Sequence, residues 1–174
     1  MNRETEGGLF VKKKIAIGAC ILAVLLVAGG LWYTRPRTFW EVTGMDRGQI
    51  TGASGYAIES FYENGRPEQQ VWEIEGLSPG QEDYEALLGL LENNTYRAHL
   101  SNLTAPLSDS QPGSERWIQL SFAVDGALFS VQIPVSRTMT IPIPDSYGSW
   151  QYDASAPQLQ AELLQYLKAN GEQS

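Results

Sequence analysis

An α+β fold is predicted for this chain of 174 residues: an N-terminal single transmembrane helix, then an antiparallel sheet with two helices packed on one face. Three observations carry the prediction. Residues 15–33, IAIGACILAVLLVAGGLWY, contain no charged side chain. Stretches 56–75 and 116–135 read as β-hairpins around Asn64-Gly65 and Asp125-Gly126. Two segments with apolar residues at helical spacing interrupt and close the strands, without the regular βα alternation of a parallel sheet.

At the amino terminus, residues 1–14 are expected to form a cytoplasmic tail, disordered over 1–11. A helix over 15–33 would reach roughly 28 Å, close to the hydrocarbon thickness of a bilayer. Lys12, Lys13 and Lys14 stand before it, and Trp32 and Tyr33 close it with rings suited to the water–lipid boundary. The lipid bilayer is therefore the expected partner of 15–33. The expected address is the cytoplasmic membrane, single-pass, with the C-terminal domain outside. Four basic residues precede the anchor, while Arg35, Arg37 and Arg47 follow it, so the orientation leans on the lysines that touch the anchor directly. Two other readings of this stretch were weighed. Ile17-Gly18-Ala19-Cys20 has the form of a lipobox, but the apolar run continues well past Cys20. Ala28 and Gly30 have cleavage-site spacing, but Leu31, Trp32 and Tyr33 prolong the apolar run, which favours an uncleaved signal anchor.

Residues 34–38 form a stalk stiffened by Pro36, and 39–170 form the extracytoplasmic domain, followed by a short tail, 171–174. Phe39-Trp40-Glu41-Val42 is a candidate first strand, and Gln49-Ile50-Thr51 a weak one followed by a turn. In the first hairpin a two-residue loop would set Tyr56 against Glu73 and Ile58 against Val71. A three-residue loop sets Tyr56 against Ile74 and Ile58 against Trp72, and is preferred because it matches apolar residues. Ser78–Glu92 is the first helix of the domain, with Ser78 and Gln81 at capping-box spacing and Pro79 at the first helical position. Its apolar face is Tyr84, Leu87, Leu88 and Leu91. His99–Leu103 is a short strand or connector, and 104–115 a loop. In the second hairpin a two-residue loop pairs Phe122 with Phe129, Leu120 with Val131 and Ile118 with Ile133 on one face. Gln119 with Gln132 and Ser121 with Ser130 lie on the other. Thr138–Ile143 is a candidate strand that Pro142 and Pro144 confine to an edge or to an extended stretch, and Trp150-Gln151-Tyr152 a short pairing segment. Ser155–Ala169 is the closing helix, buried through Leu159, Leu163, Leu164 and Leu167.

Beyond residue 14 there are eight basic and eighteen acidic residues, a net charge of −10. Such a surface repels phosphates, which excludes nucleic acid as a partner. Cys20, the only cysteine, lies in the anchor, so the domain has no disulfide and no thiolate metal site. His99 is the only histidine, and no nucleophile elbow accompanies it. No cofactor, metal or catalytic set is expected. Glu73 and Glu75, two apart on a strand, are the one carboxylate pair with the form of a hydrolase site, though a solvated face explains them more simply. Of the aromatic residues Trp72, Trp117, Tyr147, Trp150 and Tyr152, only Trp117 falls on the polar face of the second hairpin. It is the candidate contact for a protein or cell-wall partner.

Leu77-Ser78-Pro79, Tyr84-Glu85-Ala86-Leu87-Leu88-Gly89-Leu90-Leu91, Tyr96-Arg97 and Asn102-Leu103 together resemble an uncharacterised group of short, signal-anchored extracytoplasmic proteins of Gram-positive, clostridia-like bacteria. The resemblance spans most of 39–169. It implies the same location and fold and carries no site residues. The expected function is thus a membrane-anchored, non-enzymatic binding or accessory module. A small surface hydrolase using carboxylates is the first rival. An inhibitor or immunity-type protein presenting loop 104–115 is the second.

Overall fold

Helix α1 runs from Glu4 to Tyr33, so the helix begins about three turns before the apolar stretch, where a disordered tail was expected. Residues 4–63, 65–103, 107–108, 116–135, 137–143 and 148–174 are described by this structure, a computed structural model. The chain divides into two units, 1–35 and 36–174.

In the second unit, a nine-stranded antiparallel sheet is built from β1 (Ile50–Glu63), β2 (Arg66–Leu77), β3 (Tyr96–Ala98), β4 (Leu107–Ser108), β5 (Arg116–Val124), β6 (Ala127–Val135), β7 (Thr138–Pro142), β8 (Gly148–Ala154) and β9 (Glu172–Gln173). Their order is β3-β8-β7-β6-β5-β1-β2-β9, with β4 also paired to β8. Helices α2 (Phe39–Thr43), α3 (Glu82–Glu92) and α4 (Leu159–Asn170) complete the unit. The α+β architecture is that predicted.

The second hairpin forms in the predicted register, with Ile118, Leu120 and Phe122 opposite Ile133, Val131 and Phe129. Asp125 at φ 48° and Gly126 at φ 79° both take the positive φ that a type I′ turn demands. The inward row of β5 is fully buried beneath the helices. From α3 come Tyr84, Leu87, Leu88 and Leu91, and from α4 Leu159, Leu163, Leu164 and Leu167. Each fully buried leucine contributes about 1.5–3 kcal/mol. The Tyr166 hydroxyl donates to the Asp83 carbonyl at 2.7 Å and ties α4 to the start of α3.

The first hairpin takes the other register. Tyr56 faces Glu73, Ile58 faces Val71, and Glu63 faces Arg66 across a two-residue loop, whose Asn64 lies outside the described residues. Small residues here oppose large ones: Ala57 faces Trp72 and Gly55 faces Ile74. The reason is volume. Trp72 and Ile74 point into the core, and Gly55 leaves the space that Leu120 and Leu167 fill. Matching large with large would have put Tyr56 and Ile58 where α4 packs.

Other expectations are corrected as follows. Phe39–Thr43 is a short helix, not a strand. Thr38 and Glu41 make a reciprocal capping box, and Gly44 ends the turn at φ 71°. Helix α3 starts at Glu82, not Ser78, because Gly80 has φ 87° and Ser78-Pro79-Gly80-Gln81 closes a turn with Gln81 N–H donating to Ser78 O. Helix α4 starts at Leu159, not Ser155. The Ser155 hydroxyl instead accepts from Thr95 N–H at 3.1 Å and donates to Asn94 Oδ1 at 3.1 Å. The segment around Ile50 is the start of a long β1, with register shifts near Gly52 and Gly55. Strand β7 lies between β6 and β8 rather than at an edge, and Pro142 is tolerated as its last residue. His99 follows β3, and Leu100–Leu103 makes a 3-10 turn. Pro144, Tyr147 and most of loop 104–115 lie outside the described residues.

Candidate functional site

The sheet has an inner face under α3 and α4 and an outer face with the opposite set of side chains. Its register fixes which residues share the outer face, because directly opposed residues of a ladder project to the same side. One row crosses six strands: Glu73 on β2, Tyr56 on β1, Gln119 on β5, Gln132 on β6, Thr140 on β7 and Gln151 on β8. Beside it Ile58 faces Trp117, and on the other flank Ser54, Ser121 and Ser130 line up.

Trp117 therefore sits on the outer face. It is half-buried rather than fully exposed, because its ring meets Tyr56 edge to face with centroids 5.0 Å apart and planes at 70°. Such a pair stabilises by roughly 0.5–1.5 kcal/mol beyond its buried area. Burial raises the Tyr56 hydroxyl above its ordinary pKa, and the Glu73 carboxylate adds to the shift. Ser121 and Ser130 exchange a hydroxyl–hydroxyl hydrogen bond of 2.9 Å. The side-chain amides of Gln119 and Gln132 make no hydrogen bond among the described residues. Thr140, at the far side of the row, is buried.

The remaining aromatic residues divide as expected in part. Trp72 is a core residue, with the Lys168 ammonium 4.3 Å from its ring centroid. Trp150 and Tyr152 belong to the inner-face row of β8, opposite Ile141 and Met139. Trp150 is exposed and Tyr152 half-buried.

Glu73 and Glu75 are exposed, on the wall of a cleft of about 420 Å³ that they form with Asn170, Glu172 and Gln173. Among the residues lining that cleft only Ile74 is apolar. Among the described residues no group of three or more His, Cys, Asp or Glu side chains is placed to hold a metal. His99 lies 3.9 Å from Asp153, which also approaches Arg137 at 3.7 Å and accepts from the Thr138 hydroxyl at 2.9 Å. These side chains form a polar cluster around Asp153 on β8.

Glu59 lies on the inner side near the end of α4 and joins two cations. It accepts from Lys168 Nζ at 2.6 Å and Arg116 Nε at 2.7 Å. The Lys168 hydrogen bond holds its carboxyl below the usual glutamate range, burial opposes this, and Arg116 reinforces it. Sequence reading missed this cluster, because residues 59, 116 and 168 meet only through the fold.

In the first unit, Ile15–Tyr33 has a mean hydropathy of 2.5 and none of it is buried. Leu25, Leu26, Leu31 and Trp32 each expose more than three-fifths of their surface, at 62%, 68%, 69% and 66%. After Trp32, the Arg35 guanidinium lies 5.7 Å from its ring centroid. The side chains of Lys12, Lys13 and Lys14 lie outside the described residues. No family model, no curated protein and no solved structure matches this chain.

Proposed function

We propose that the chain is a membrane-tethered binding module. Helix α1 anchors it in the cytoplasmic membrane, and the α+β unit works outside as a non-enzymatic recognition or accessory domain. The observation that carries this reading is the uncharged window Ile15–Tyr33, unburied along its whole length. In water each of its large apolar side chains would forgo about 1.5–3 kcal/mol of burial, whereas a bilayer accepts the whole helix with its backbone bonds satisfied. The outer sheet face supports the recognition role. It is a broad surface, uncovered by α3 or α4, and it carries Trp117 and Tyr56 at one side. The resemblance to signal-anchored proteins agrees with the same address.

The test is crosslinking on living cells. Wild-type protein should recover a partner that Trp117→Ala loses, while the variant keeps a cooperative thermal melt. Equal recovery by both would remove Trp117 and its face from this role.

A further inference from the structure

We propose that the outer face of β1, β5 and β6 binds an uncharged, hydroxyl-rich glycan, with one sugar ring packed on the Trp117–Tyr56 pair. This rests on the recognition role above and names its ligand class.

Charge is the first argument. The unit is strongly acidic, yet the outer face of β5 and β6, with Gln119 and Gln132 in the row and Trp117, Ser121 and Ser130 beside it, presents no charged side chain. Glu73 on β2 directly opposes Tyr56 at one end of the row, and Asp153 stands on β8 at the other side. A neutral strip inside an acidic surface favours a neutral ligand over an ionic one.

Hydrogen bonding is the second argument. Gln119 and Gln132 face each other with both amides free of protein partners among the described residues, and each offers a donor group and an acceptor oxygen. Whatever covers them must bring donors and acceptors at close spacing, because a buried polar group left unpaired costs about 1–3 kcal/mol. A second copy of this face is a poor cover, since stacked sheets interdigitate apolar side chains. An extended peptide gains most of its affinity from backbone bonds along a sheet edge, and this surface is the middle of the sheet. Sugar hydroxyls donate and accept, as these amides and the Ser121–Ser130 pair require. The C–H face of a pyranose suits the apolar side of an indole, whose ring is held in place here by Tyr56.

The experiment is calorimetric titration of the full-length protein in a detergent without sugar headgroups, using neutral β-1,4-linked N-acetylglucosamine and glucose hexasaccharides as probes. At least one should bind. Trp117→Ala and the double variant Gln119→Ala/Gln132→Ala should each weaken it by about tenfold or more. Added salt should leave the affinity unchanged, as screening acts on charges. The double variant decides the matter if Trp117→Ala melts early. Absence of binding to both probes, or full affinity in the double variant, overturns the proposal. So does self-association through this face that Gln119→Arg abolishes, or capture of a peptide on it. Partner recovery from cells that depends on Trp117 without glycan binding would overturn the ligand class and leave the recognition role standing. A domain found on the cytoplasmic side would instead overturn the placement of the α+β unit outside the membrane.

Discussion

Gly55 marks a close approach of α4 to the sheet. A Cβ there would lie 2.8 Å from Leu120 Cδ2 and 3.2 Å from Leu167 Cδ2. Gly55→Ala should therefore lower unfolding stability by about 1–3 kcal/mol through overpacking. Gly89, inside α3, is the contrast: a Cβ there meets nothing nearer than Asn93 Nδ2 at 4.0 Å. Gly89→Ala should raise stability by about 0.5–1 kcal/mol, and urea denaturation of the two variants reads both signs. Glu59 makes a prediction about pH. Its folded pKa is depressed, chiefly by Lys168, so its contribution is present above the ordinary glutamate value of about 4.3. That contribution is lost as pH falls through the lower folded value. Melts between neutral pH and pH ~3 should show Glu59→Gln less stable than wild type at neutral pH and the gap closing in acid. A gap constant across that range would contradict the assignment.

At the scale of elements, the legibility of the sequence depended on whether a signal was local. The β5–β6 hairpin could be read residue by residue, because Asp125-Gly126 selects one turn and the alternating pattern selects one register. The β1–β2 register could not, because the space left at Gly55 and Ala57 belongs to α4, far along the chain. Helix α2 was hidden because Phe39 and Trp40 are strand formers, although Thr38 and Glu41 stand at capping-box spacing. Ser155 does not begin α4, because Asn94 and Thr95 engage its hydroxyl. The C-terminal strand β9 was also hidden. It pairs with Trp72 and Glu73 at the β2 edge, immediately after Gly171. A Cβ at 171 would sit 2.6 Å from Leu167 O and 2.8 Å from Glu73 O. Gly171→Ala should thus release β9, visible as faster hydrogen exchange at Ser174 N–H, which now donates to Val71 O at 3.1 Å. Unchanged exchange would show that the edge tolerates the methyl group.

At the scale of the molecule, composition was the most legible layer. Nineteen uncharged residues stand out without any knowledge of the fold, and they form one continuous helix with what precedes them. The proposed binding face was legible only in part. Trp117 could be placed on the polar side of its hairpin from alternation alone. Its contact with Tyr56 depends on β1 pairing with β5, a strand order that no local pattern encodes. The central claim is that α1 lies in the membrane with the α+β unit outside. Protease applied to intact cells carrying a C-terminal tag tests it most directly. The account predicts that the tagged unit is digested without lysis while a fragment containing α1 stays with the membrane. A tag that survives until the cells are broken would contradict it.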